Sequence, residues 1–141
     1  QPDLKDENMR ALFTFLFNSL STAHASFKSR TYITPLENQL KQLHLEISNS
    51  LEQKHSIARC AKQLNISESY FQLIYKKLFG ISFQQDLILM RVTRARFNLS
   101  TSNLSLSQIA EFCGYNNEVH FYRQFKKLTG VTPAQYRKHP F

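Results

Sequence analysis

Two pairs of lysines, Lys76-Lys77 and Lys126-Lys127, stand fifty positions apart, and each closes a segment rich in hydrogen-bonding side chains. Ser69 and Gln72 precede the first pair; Asn117, Glu118, Tyr122 and Arg123 precede the second, with Leu73 and Val119 as apolar companions. Ammonium groups can hold phosphates, while amide, hydroxyl, carboxylate and guanidinium groups can read base edges. On a helix, Ser69, Gln72, Leu73 and Lys76 fall at i, i+3, i+4 and i+7, a single stripe. Val119, Tyr122, Arg123 and Lys126 form a second stripe by the same rule. Such a stripe fits a major groove, with bases near its start and phosphates near its lysines. The plain reading of either stripe alone is a solvated helix face. Two copies with the same turn and the same basic end argue against it.

The elements that must carry these stripes are legible as an internal repeat. Lys76-Lys77-Leu78-Phe79-Gly80-Ile81-Ser82 returns as Lys126-Lys127-Leu128-Thr129-Gly130-Val131-Thr132, while Ala61 through Ile66 returns one residue closer, as Ala110 through Tyr115. The second copy thus holds one extra residue between its Ala and its Lys-Lys. Each copy reads as two helices and a short turn. In the first, Ile57, Cys60, Ala61 and Leu64 share a face, Asn65-Ile66 turns, and Ser67 caps a helix ending before Gly80. In the second, Ser105 or Ser107 caps a helix with Leu106, Ile109, Ala110 and Cys113. Gly114 turns, Asn116 or Asn117 caps, and the last helix ends before Gly130. Phe71, Ile74, Tyr75 and Leu78 are expected inward in the first copy, and Phe121, Phe125 and Leu128 in the second. Small residues at Ala61 and Ala110 let the helices cross closely, giving a helix-turn-helix twice over.

Between the copies, residues 83–100 read as one linker helix. Over ~25 Å at 1.5 Å per residue, it suits two recognition helices set about one DNA turn, ~34 Å, apart. Arg91, Arg94 and Arg96 lie on it, and two readings stand for them: phosphate contacts, or linker arginines with buried stems that pair with acidic groups in the two bodies.

Composition sets the frame. The chain has 141 residues with 42% hydrophobic, so it can form a core, and only 3 Gly and 4 Pro, too few for an all-β sandwich. Net charge is +8, of which residues 1–43 carry +1 and residues 44–141 carry +7. The polyanion-binding part is therefore in the last hundred residues. Cys60 and Cys113 make neither a disulfide framework nor a zinc spacing, which fits a reducing compartment. Beginning at Gln1 rather than Met, the chain reads as a piece of something longer. Residues 3–22 are expected to form an amphipathic helix through Met9, Leu12, Phe13, Leu16 and Leu20, although Phe13, Phe15 and Phe17 also alternate as in a strand. Residues 11–17 are too short and too polar for a span, and no basic run precedes them. Residues 21–34 read as a linker.

From about Leu45 to Lys138 the chain resembles the DNA-binding domain of the AraC/XylS family of bacterial transcription regulators. The carriers are Ser67-Glu68-Ser69-Tyr70-Phe71 with Lys76-Lys77-Leu78-Phe79-Gly80, the linker Arg91-Val92-Thr93-Arg94-Ala95, and Ile109-Ala110-Glu111-Phe112-Cys113-Gly114-Tyr115. Most specific is the end, Phe121-Tyr122-Arg123-Gln124-Phe125-Lys126-Lys127-Leu128-Thr129-Gly130-Val131-Thr132-Pro133-Ala134-Gln135-Tyr136-Arg137. The resemblance implies an all-α domain over 36–141: a first unit at about 40–82, a linker helix at 83–100 and a second unit at 101–138. It implies promoter DNA and RNA polymerase as partners, in the bacterial cytoplasm and at the nucleoid, with no cofactor, metal or membrane. Base-reading positions fall on Ser69, Gln72 and Leu73, and on Glu118, Val119, Tyr122 and Arg123. Arg123 is expected to pair with guanine, Gln72 with adenine and Glu118 with cytosine. Leu73 departs from the commoner pattern, in which an arginine or polar residue stands there. It reads thymine methyls or adds little specificity, and a missing domain could alternatively cover Leu73 and Val119. Residues 1–43 lie outside the match, and 1–35 read as the tail of a missing sensor or receiver domain, a dimerisation segment that would make a homodimer, or a helix packing on its own first unit.

An enzyme needs a constellation that this sequence lacks, since no Gly-rich phosphate loop, nucleophile elbow or paired His motif occurs in it. The rival is a helical adaptor docking an acidic protein or anionic membrane through its basic face. A membrane helix would place its cations beside large apolar residues on one long stripe. Here they terminate two separate helices. An RNA reader would need an aromatic platform on a sheet.

Overall fold

Serine, threonine and asparagine side chains mark the helix starts. In the computed structural model, which describes residues 34–140, six successive helices begin at a residue whose side-chain oxygen accepts a first-turn backbone N–H. These caps are Ser56, Ser67, Ser82, Ser105, Asn117 and Thr132. Each is worth about 1 kcal/mol. They pair off through the repeat, Ser56 with Ser105, Ser67 with Asn117 and Ser82 with Thr132. Of the alternatives left open by the sequence, the structure selects Ser105, which forms a capping box with Gln108, and Asn117.

The elements are α1 (Pro35–Asn49), α2 (Ile57–Gln63), α3 (Glu68–Phe79), α4 (Phe83–Thr101), α5 (Leu106–Phe112), α6 (Glu118–Thr129) and α7 (Pro133–Lys138). No strand occurs among the described residues. The amphipathic helix expected at 3–22 and the linker after it lie outside them. The chain divides into two units, Gln1–Asn38 and Gln39–Phe141. The first is described only where α1 starts, at Thr34, whose hydroxyl accepts the Glu37 N–H at 3.2 Å.

Two cores divide the second unit, and α4 serves both. Phe83 and Leu87 join Leu40, Ile47, Phe71 and Tyr75 in the first core, while Val92, Ala95 and Leu99 join Ile109, Phe121 and Phe125 in the second. Ala61 and Ala110 are both buried, as their place in the first helix of each copy requires. Asn65 (φ 56°) and Gly114 (φ 89°) occupy the same left-handed turn position in the two copies. The extra residue of the second copy is Asn116, between that turn and the cap.

Two elements add to the two-helix reading of each copy. α1 buries Leu40, Leu43 and Ile47 against the first core, and α7 brings Tyr136 edge-on to Phe125 at 5.6 Å. One expectation is corrected. The helical period places Leu128 inward with Phe121 and Phe125, yet it is 51% exposed. α7 has six residues where its counterpart α4 has nineteen, so the end of α6 is covered less than the end of α3.

Asp86 is a buried acid that the sequence does not single out. Its Oδ2 accepts from the Tyr75 hydroxyl at 2.6 Å and lies 3.0 Å from His44 Nε2, linking α4, α3 and α1. A buried carboxylate needs such partners. Burial, and then the bond to Asp86, push the Tyr75 phenol well above its ordinary range. His44 also stacks on Phe79 at 4.6 Å.

Cys60 and Cys113 are buried free thiols, as small core residues would be. Burial raises the Cys60 thiol against the pull of Arg59, and pushes Cys113 up to about 11 against Arg94 and Arg91. Iodoacetamide at pH 8 is therefore expected to label neither thiol in the folded protein and both once it is unfolded. Because Cys113 holds its proton more tightly when folded, its contribution to stability is complete below about pH 9 and lost as pH rises through about 11. Cys113→Ala should flatten that part of the stability profile, and mass spectrometry with alkaline denaturation reads both effects.

Candidate nucleic-acid interface

The two recognition helices are built alike. In α3, Phe71 and Tyr75 are wholly buried, which turns Ser69, Gln72, Leu73 and Lys76 outward, all exposed. Leu73 is 66% exposed, a large apolar side chain held in solvent. In α6, Phe121 and Phe125 are wholly buried, Val119, Arg123, Lys126 and Lys127 are exposed on the side away from them, and Glu118 is exposed in the first turn, one turn before Tyr122. The structure thus brings Ser69, Gln72, Leu73 and Lys76 onto one face of α3 and Val119, Arg123, Lys126 and Lys127 onto one side of α6, with Glu118 and Tyr122 at its edge. Lys76, Lys77, Lys126 and Lys127 occupy the last turns of α3 and α6, where they also complement the helix dipole. Gly80 and Gly130 stop the two helices in the left-handed conformation.

Two expected site residues carry structural duties as well. Asn117 Oδ1 accepts the Val119 and His120 N–H groups at 2.8 and 3.4 Å, which leaves its amide N–H groups for other partners. Tyr122 is partly buried rather than fully outward, with its ring edge against Phe121 at 6.0 Å. Desolvation, and then the charge of Glu118 one turn away, raise its phenol above the ordinary value. It stays protonated, a hydroxyl able to donate.

Of the linker arginines, Arg91 and Arg94 are partly buried and Arg96 is exposed. Arg91 lies over the Tyr115 ring at 5.7 Å, and burial lowers its guanidinium from the usual value. Arg94 donates from Nη2 to the Ser48 carbonyl at 2.9 Å and stands 3.7 Å from Glu52. Arg96 lies 5.5 Å over the Tyr136 ring and donates from Nε to the Tyr136 hydroxyl at 3.3 Å. Of the two sequence readings, the contacts of Arg91 and Arg94 match the buried stems, and Arg94 has the expected acidic partner in Glu52. Tyr115, itself buried, donates its hydroxyl to Gln124 of α6 at 2.7 Å and so ties the turn to the recognition helix.

Sequence reasoning missed the junction between the bodies. Gly114 packs so closely on the Leu51 carbonyl that a Cβ at this position would overlap it, and Arg91 flanks the same spot. The signal available was a glycine in the turn; its partner, 63 positions away in sequence, carried none. Among the described residues no group of three His, Cys, Asp or Glu could hold a metal, and no helix is long and apolar enough to cross a membrane.

Two helix-turn-helix units on one shared helix, each presenting an exposed basic-ended helix, define a bipartite domain for duplex DNA. Residues 60–139 match the family described as a helix-turn-helix domain. The arabinose operon regulatory protein of Escherichia coli is 27% identical over 104 residues, which are 73% of this chain and 36% of that protein. The C-terminal domain of AraT, a response regulator from Geobacillus stearothermophilus, superposes with a TM-score of 0.69 at 31% identity, covering 74% of this chain and 88% of that one. The DNA-binding domain of AdpA, a global transcriptional factor solved with a target DNA, gives 0.69 at 27% identity over 71% and 90%. The chain belongs to the AraC/XylS family of transcription regulators and carries its sequence-specific DNA-binding domain. This is a family of DNA-binding proteins and not of enzymes. The chain spans between about an eighth and about a third of the length of the curated relatives it matches.

Proposed function

We propose that this domain, residues 36–141, binds promoter DNA by seating α3 and α6 in consecutive major grooves. The observation that supports this best is the exposed, basic-ended helix on both of the bodies that share α4. The helix between them, nineteen residues or about 28 Å, suits a spacing near one DNA turn of ~34 Å. In this reading Arg123 pairs with guanine, Gln72 with adenine and Glu118 with cytosine, and Ser69 and the Tyr122 hydroxyl add hydrogen bonds. Leu73 and Val119 meet thymine methyls. Asn117 presents α6 and offers its amide. The four lysines hold phosphates. The whole regulator acts in the bacterial cytoplasm and at the nucleoid, engages RNA polymerase, and pairs as a homodimer through its N-terminal part.

Selection of bound duplexes from a random ~30-bp pool at near-physiological salt tests this. Two preferred blocks about one turn apart are expected; a single block would reduce one unit to backbone contact. Arg123→Ala should cost about 1–3 kcal/mol and relax the preference at one base pair. Equal loss on every sequence would make Arg123 a phosphate contact. Lys126→Ala or Lys127→Ala should weaken binding evenly across sequences.

A further inference from the structure

We infer that Arg94 sets the spacing between the two blocks of DNA, as a positioning residue that ties the linker helix to the first body. The inference rests on the two-groove reading. α4 places Phe83 and Leu87 in the first core and Val92, Ala95 and Leu99 in the second, so Arg94 belongs by position to the second half of the helix. Its head goes the other way. Nη2 donates to the Ser48 carbonyl near the end of α1 at 2.9 Å, and Nη1 faces Glu52 Oε2 at 3.7 Å. Arg91, one turn earlier, stays with the second body on the Tyr115 ring. A second approach between the bodies at this junction is the packing of Gly114 on the Leu51 carbonyl.

These two kinds of contact constrain different motions. A single close approach such as Gly114 on Leu51 limits how near two backbones come without fixing their direction. A charge-assisted hydrogen bond fixes direction as well as distance. One base pair adds about 3.4 Å of rise and about 35° of twist, so α6 must both slide and rotate by those amounts about the duplex to reach the neighbouring register. The first body and the second half of α4 must therefore be held to within a few ångströms for a single spacer length to be preferred. The Arg94 fork lies across the junction that would slide. Its partners are Ser48 and Glu52 rather than any residue of the outward stripes of α3 and α6, so its loss leaves the base-reading side chains in place.

The test is a competition among duplexes that carry the two wild-type blocks joined by spacers of varied length. The wild-type domain is expected to prefer its best spacer by about tenfold over spacers one base pair shorter or longer, within the range a mismatched base pair costs. Arg94→Met keeps the apolar stem and removes the head; its preference should fall to about twofold or less, with the base preferences inside each block unchanged. Arg94→Lys, a point donor without the fork, should lie between the two. Equal weakening at every spacer would make Arg94 a phosphate contact, and an unchanged preference would leave it a stability residue only; either result overturns the inference. Should Arg94→Met not melt cooperatively, Glu52→Ala at the exposed end of the pair carries the test, with a partial loss of preference expected and no change overturning it. A wild-type selection that yields no two blocks removes the two-groove reading and this inference with it.

Discussion

Gly114→Ala is expected to lose about 2–5 kcal/mol of folding stability, and with it most DNA binding at 37 °C. Two costs add. The residue sits at φ 89°, where an L side chain costs about 1–2 kcal/mol, and its new Cβ would overlap the Leu51 carbonyl, a backbone atom that cannot rotate away. Relief requires the second body to shift from the first, at a cost typical of overpacking, about 1–3 kcal/mol. Gly80 and Gly130 supply the control. Their φ angles are 74° and 82°, but a Cβ at either meets nothing within 4 Å. Gly80→Ala and Gly130→Ala should thus show the backbone cost alone, and the excess in Gly114→Ala measures the contact between bodies. Urea unfolding of the three variants reads all of this; equal losses would show that the close approach to Leu51 is not maintained in solution.

DNA affinity should fall steeply with salt. If the four recognition-helix lysines and up to two further cations each neutralise a phosphate, the slope of log K against log salt is about −3.6 to −5.4. Raising salt from 50 to 200 mM then weakens binding by about 150-fold to 2,000-fold. Replacing Lys126 and Lys127 together by alanine should flatten the slope by about 2. Fluorescence anisotropy on one labelled duplex at four or five salt concentrations is enough to see it. A slope near zero would remove the phosphate role of the lysines. An unchanged slope in the double variant would move that role to other cations.

Much of this domain is legible in its sequence because local chemistry dictates it. Ser67 and Asn117 can cap, Gly80 and Gly130 can stop, and Phe71/Tyr75 and Phe121/Phe125 at i, i+4 fix which face is buried. With the buried face fixed, the outward placement of Leu73, Arg123 and the lysines follows. α1 is equally local: Pro35 starts it and Leu36, Leu40, Leu43 and Ile47 recur at helical spacing, but it has no copy in the repeat and so escapes a reading built on the repeat. The Thr132–Gln135 capping box likewise announces α7. The rest is long-range. The identical period that buries Leu78 in part would bury Leu128, and only the length of the following helix distinguishes them. The meeting of Asp86 with His44, of Gly114 with Leu51 and of Arg94 with Ser48 depends on how whole bodies dock, which no window of sequence encodes.

The two recognition helices share their outward lysines and the first-turn Glu68 and Glu118 but differ at Ser69/Val119, Gln72/Tyr122 and Leu73/Arg123, and they are joined in tandem by α4 rather than by a two-fold axis. A chain built in this way has a head and a tail. Where a symmetric dimer sits identically on either strand of a palindrome, a tandem pair reads a site that has an orientation, and inverting that site turns the whole domain end for end. The same sequence element placed forwards or backwards upstream of a gene would then offer neighbouring proteins α1 or α7. A duplication that kept the frame and let the reading residues diverge has made the domain a pointer as well as a clamp.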